Sequence, residues 1–113
     1  MPTVQDLIIT AIQQQLIVTA VYQEKKRIMC PHMIGHKDGR LNVLFFQFAG
    51  ESKKGLPPGG QWRCIHLDEL SNVSVAPGLW HTGPDYGRPQ TCVVQIIAKV
   101  PTNYAKESGE VGR

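Results

Sequence analysis

The pair Asp38-Gly39 stands between an extended segment, residues 27–34, and the apolar run 41–48, and it constrains the fold more than any other feature of the chain. Both positions of a two-residue hairpin turn need positive φ, which Asp tolerates and Gly adopts freely. The flanking segments are therefore expected to pair as antiparallel strands. Ahead of them, Val4, Leu7, Ile8, Ala11 and Ile12 recur at spacings of three and four, with Gln5, Gln13 and Gln14 on the opposite side. That is the stripe of an amphipathic helix, and Thr3 with Asp6 forms a capping-box pattern in front of it. From Leu16 onward Ile17, Val18, Thr19, Val21 and Tyr22 favour a pleated backbone, so the helix is expected to end near Gln15.

Glu24, Lys25 and Lys26 make a polar interruption, and Pro31 inside the next extended segment points to a sheet edge or a bulge. Residues 50–61 carry four glycines and two prolines, which no helix or strand can run through, so an exposed loop is expected. A short strand over 62–67, a turn or single helical turn over 68–72 and a last short strand over 73–76 complete a helix followed by about five antiparallel strands. Residues 77–90 read as irregular. In 92–100, Val93, Ile96, Ile97 and Val100 follow helical spacing while the β-branched content argues for a strand; the spacing favours a helix. Residues 105–113 have too little apolar content to pack and are expected to form a flexible tail behind a single domain over 1–104.

With 113 residues there is room for one core only, which excludes a two-domain enzyme. No apolar run approaches the ~20 residues of a membrane span, and no basic, then apolar, leader opens the chain. A soluble, unprocessed protein without membrane contact is expected. Cys30, Cys64 and Cys92 are odd in number and show no C-x-x-C spacing, so a secreted disulfide scaffold is not expected and a cytoplasmic location fits better. The net charge of +3 does not by itself imply nucleic acid.

Local clustering makes a stronger case. Lys25, Lys26, Arg27, His32, His36, Lys37 and Arg40 lie on or between the first strands, Lys53 and Lys54 in the loop and Arg63 beyond it. Tyr22, Phe46, Phe48 and Trp62 are interleaved, and cations alternating with π-faces are what single-stranded nucleic acids and nucleotides use. The alternatives are a solvated lysine face and aromatics that belong to the core. Arg27, His32 and Arg63 sit within strand segments, where an arginine fork needs an anion or acceptors; internal pairing with Glu24, Asp68 or Glu69 would also satisfy it.

Two C-x-H pairs, Cys30 with His32 and Cys64 with His66, each put a thiol and an imidazole on one face of a strand. Consecutive strands would place 41–48 between them, about 10 Å of separation, so no metal site is expected. Cys64 with His66, or Ser52 in the loop, could be nucleophiles, but nothing acidic is placed to orient the imidazole. The loop also lacks the spacing of a phosphate-binding P-loop. No enzymatic activity and no cofactor are expected.

The runs R-I-M-C-P-H-M-I-G (27–35), D-G-R-L-N-V-L-F-F-Q-F-A-G-E-S (38–52) and G-Q-W-R-C-I-H-L-D-E-L (60–70) resemble small stand-alone bacterial proteins of the WYL-domain type. The shared elements are Pro31-His32, Gly35, Gly39, Val43-Leu44, Gln47, Gly50, Ser52, Trp62-Arg63 and Leu67-Asp68. The chain departs from that family in reading V-L-F-F where the naming Trp-Tyr-Leu triplet stands and in having no preceding helix-turn-helix segment. The resemblance implies an α+β, mostly β fold: an N-terminal helix packed on a small Sm-like five-stranded antiparallel β-barrel with an irregular C-terminal extension. It also implies a ligand-sensing or regulatory module that binds nucleic acid or a nucleotide-like anion through Tyr22, Arg27, His32, Gln47, Ser52 and Arg63. A second expectation, from a different class, is a protein-interaction or assembly module, with a protein partner or a homo-oligomer forming on exposed sheet edges and the segment around Trp80, Tyr86 and Ile96.

Overall fold

The computed structural model describes residues 3–51, 55–57 and 59–101. Helix α1 spans Val4–Gln14 and is opened by the expected capping box: the Thr3 hydroxyl accepts from the Asp6 N–H at 3.1 Å, and the Asp6 carboxylate accepts from the Thr3 N–H at 3.2 Å. Gln15 closes it in the left-handed region at φ 55°. Six strands follow: β1 (Ile17–Tyr22), β2 (Lys25–Lys37), β3 (Arg40–Gly50), β4 (Gln61–His66), β5 (Ser71–Ala76) and β6 (Gln95–Lys99), with a 3-10 turn at Leu67–Glu69.

Two tight turns set the register. Asp38 (φ 53°) and Gly39 (φ 80°) join β2 to β3, with Lys37 opposite Arg40. Gln23 (φ 53°) and Glu24 (φ 64°) join β1 to β2 in the same left-handed geometry, with Tyr22 opposite Lys25. Antiparallel pairing gives the order β4-β3-β2-β1-β5, and β6 pairs with the far half of β2. Among the described residues no pairing joins β5 to β4, so the sheet is not closed into a barrel. Pro31 marks a register shift between β2 and β3, the bulge that a residue without an N–H produces there.

Residues 95–99 are a strand, not the helix that the spacing of Val93, Ile96, Ile97 and Val100 favoured. The second half of β2 has an open edge that β6 fills, with Gly35 opposite Ile96. A Cβ at Gly35 would lie 2.2 Å from the Gln95 carbonyl oxygen, so only glycine permits this approach. Tertiary pairing thus overrides a local period that both states could satisfy.

The core lies between α1 and one face of the sheet. Ile8, Ala11 and Ile12 pack with Val18, Ala20, Met29, Ile34, Val43, Phe45 and Ile65. On the opposite face a smaller cluster of Met33, Cys92 and Val93, joined by Leu44 and Tyr86, holds residues 77–94 against the sheet. The cysteines also correct an expectation: Cys64 and Cys92 form a disulfide across Cα atoms 5.6 Å apart, and only Cys30 is free and buried. The paired cysteines are 28 positions apart in sequence and meet because the chain folds back over the sheet, a proximity that sequence spacing does not encode. No described helix is long and apolar enough to cross a membrane.

Candidate functional site

The residues singled out in the sequence do not share one surface. Strand alternation puts Arg63 on the face of Ile65, and Gln47 on the face of Phe45 and Val43, whereas Trp62 and Cys64 point the other way. Tyr22, Arg27, Gln47 and Arg63 come together on the core side. His32 lies on the opposite face beside Trp62. Ser52, Lys53 and Lys54 lie outside the described residues. The remaining cations split between the ends of the thirteen-residue β2: Lys25 and Lys26 at one turn, His36, Lys37 and Arg40 at the other.

Gln47 is the centre of the first group and is fully buried. Its Oε1 accepts from Arg27 Nη1 at 3.3 Å and from Arg63 Nε at 2.6 Å. Its Nε2 donates to the carbonyls of Ala49 at 3.0 Å and Glu51 at 2.8 Å. The second of these bonds requires the chain to fold back after β3. Gly50 makes that bend at φ 91°, where a Cβ would sit 2.6 Å from the Lys26 carbonyl oxygen. Glu51 then joins β2 by accepting from the Lys26 N–H at 2.9 Å with its carboxylate and donating its own N–H to the Lys26 carbonyl at 2.7 Å.

Arg27 is 1% exposed. Its guanidinium also donates from Nε and Nη2 to the Tyr22 carbonyl and lies 5.2 Å from the centre of the Tyr22 ring. It forms no ion pair among the described residues. Burial, and then the nearby charge of Arg63, push its pKa below the usual arginine range. Two guanidinium groups therefore converge on one neutral amide oxygen. Arg63 is only half-buried, so it is the member of the pair that solvent and solutes reach. Of the internal partners considered, Glu24, Asp68 and Glu69, Asp68 pairs with Arg40 at 2.8 Å on the surface.

His32 is enclosed by three rings, with centroids of Trp62 at 4.9 Å, Trp80 at 4.9 Å and Tyr86 at 5.0 Å. Its Nδ1–H donates to the Cys30 carbonyl at 2.9 Å, which leaves Nε2 to accept from the Thr82 hydroxyl at 2.9 Å; Thr82 in turn accepts from the Trp80 indole N–H at 3.0 Å. Burial lowers its pKa to about 4, so it is a neutral, hydrogen-bonded core histidine. Tyr86 donates to the carbonyls of His32 and Val100, and burial raises its pKa to about 12. Of the aromatics expected as stacking platforms, Phe46 is buried against Trp62, Phe48 stacks on His81 and Tyr22 covers Arg27.

Trp62 and Leu44 line two adjoining cavities on the same face as His32. One, of about 640 Å³, is walled by Met33, Tyr86, Pro84, Pro89 and Ile96. The other, of about 630 Å³, holds Cys64, His66, Lys37 and Arg40. Because Cys64 is bonded to Cys92, the Cys64 and His66 pair offers no thiolate, either to a metal or as a nucleophile. Burial raises the Cys30 thiol to about 11. Sequence reading missed Thr82, Asn42, Gln90 and the Cys64–Cys92 bond. The available signal was Trp80 and Tyr86 within an otherwise irregular segment, since large aromatics there have to pack on something. Comparisons with protein-family models, with curated proteins and with solved structures give no match.

Proposed function

We propose that this protein is a non-enzymatic ligand-sensing or regulatory module that binds single-stranded nucleic acid or a nucleotide-like anion at the group formed by Tyr22, Arg27, Gln47 and Arg63. The observation that carries the reading is the convergence of Arg27 and Arg63 on the single oxygen of Gln47. In this arrangement Arg27 and Gln47 are positioning residues: the buried arginine fixes the amide, and the amide aims Arg63. The half-buried Arg63 meets the phosphate or carboxylate, with Lys25 and Lys26 on the adjacent hairpin adding positive potential. A pre-positioned guanidinium loses little freedom on binding.

The WYL-type resemblance supports the same reading, and kinship of this open sheet with an Sm-like barrel belongs to the proposal. So does a cytoplasmic location, where the Cys64–Cys92 bond would meet a reducing thiol pool. A titration with a short single-stranded oligonucleotide at two salt concentrations tests it. Binding whose log K falls with log salt at a slope of about 0.7 per phosphate contact supports the proposal, and no binding at low salt refutes it.

One observation favours assembly as a second reading. Val94, Ile96 and Ile97 are 66%, 46% and 42% exposed beside and on β6, which pairs only with β2 among the described residues. An apolar edge of this kind invites strand addition. Light scattering that finds a monomer at high concentration would remove that reading.

A further inference from the structure

We infer that the disulfide between Cys64 and Cys92 is a site of thiol–disulfide exchange, accepting electrons from a dithiol reductant while the fold stays intact and thereby releasing residues 77–94 from the sheet. Three features carry this. First, the bond is asymmetric in access: Cys64 is exposed on β4, whereas Cys92 is buried beneath it at 7% exposure. Second, Cys64 lines an open cavity of about 630 Å³ that a reductant can enter. Its walls carry Lys37, Arg40 and Arg63 against the carboxylate of Asp38, and with Asp68 paired to Arg40 the setting keeps a net positive charge that favours an approaching thiolate.

Third, the bond ties down a segment without regular secondary structure. Residues 77–94 contain no helix or strand. They are held by the satellite cluster of Met33, Cys92 and Val93, by Trp80 and Tyr86 packed on the main core and around His32, and by isolated hydrogen bonds. Trp62 donates to the Pro84 carbonyl at 2.8 Å, Tyr86 to the His32 carbonyl at 3.2 Å, and Asn42 to the Cys92 carbonyl at 2.8 Å. Irregular segments without ladder hydrogen bonds open at lower free energy than strands in the core, and a covalent tie at one end suppresses that opening.

In the exchange, a thiolate of the reductant attacks the accessible Cys64 Sγ. A mixed disulfide forms, and Cys92 leaves as a thiolate that takes up a proton. The reductant's second thiolate then attacks its own sulfur in the mixed bond, closing the reductant's disulfide and releasing Cys64, which takes up the second proton. Two electrons pass from the dithiol to the protein pair. The product has an untethered segment 77–94, which walls the 640 Å³ cavity through Pro84, Tyr86, Pro89 and Gln90.

The test uses the full chain and dithiothreitol as the probe, with Cys30 as an internal reporter. Cys30 is fully buried under the same segment, where its Sγ accepts from the His81 N–H, so a maleimide reaches it only once residues 77–94 have lifted. The expected result is labelling of Cys64 and Cys92 in the folded protein, and labelling of Cys30 at least tenfold faster than with the disulfide intact. Amide hydrogen exchange should quicken by a similar factor over 77–94 while β2 and β3 stay protected. Cys92→Ser should show the same exchange pattern without reductant. Cys30 labelling unchanged by dithiothreitol, a bond that resists dithiothreitol until the protein unfolds, or unchanged exchange over 77–94 would overturn the inference. None of these readouts depends on nucleic-acid binding.

Discussion

Acid should weaken this fold in a window set by His32. The side chain is fully buried, and in its neutral form it donates to the Cys30 carbonyl and accepts from the Thr82 hydroxyl. Burial holds its pKa at about 4 against 6.5 in the unfolded chain. The full contribution is present above pH 6.5. As the pH falls from there to about 4, the unfolded state takes up a proton that the native state refuses, and stability is lost progressively. Below about 4 both states are protonated and the loss stops growing. At about 1.4 kcal/mol per pH unit the total is about 3 kcal/mol. The chain also carries nine acidic side chains, so the effect has to be measured as a difference. Urea unfolding of the wild type and His32→Phe at pH 7, 5.5, 4.5 and 4 isolates it. The variant starts less stable because the Cys30 carbonyl and Thr82 lose their partner, and the gap should then narrow by about 3 kcal/mol toward pH 4. A gap that stays within about 1 kcal/mol of its pH 7 value would refute the assignment of His32 as a neutral core residue.

Other perturbations follow from single contacts. Gly35→Ala drives a methyl into the Gln95 carbonyl and the Val93 side chain, so thermal unfolding should show a loss of about 2 to 3 kcal/mol with exchange rising first in β6. Gln47→Leu strips a partner from the buried Arg27 and from the carbonyls of Ala49 and Glu51; chemical denaturation should report a loss of about 3 to 5 kcal/mol, and a loss under about 1 would show that water replaces the amide. Thr3→Ala removes one half of the capping box and should cost about 1 kcal/mol, read from the denaturation midpoint at unchanged slope.

Much of the fold was legible because the signals were local. The stripe of Ile8, Ala11 and Ile12 and the Thr3 and Asp6 cap define α1, and Asp38-Gly39 places the central hairpin. Features set by long-range proximity were not legible. The strand at 95–99 exists because β2 is long enough to offer a second edge, and the Cys64–Cys92 bond because the intervening chain folds back over β4. The candidate site was half legible for a related reason. Arginines and a glutamine within strand segments announce buried polar pairing, and Tyr22, Arg27, Gln47 and Arg63 do converge. His32 carries the same kind of signal but points to the other face, because the Pro31 bulge and the pleat decide sides that residue type does not.

The anion site is tested most directly by comparing oligonucleotide affinity and its salt dependence in the wild type and in Arg63→Ala. Removing the half-buried guanidinium leaves Gln47 still bonded to Arg27, so the buried amide keeps an arginine partner. A lost charge-assisted contact of about 2 kcal/mol corresponds to roughly 30-fold weaker binding. The slope of log K against log salt should also fall by about 0.7, the share of one phosphate on a single strand. An Arg63→Ala protein that binds with unchanged affinity and slope but melts several degrees lower would contradict the proposed site and leave Arg63 as a structural residue.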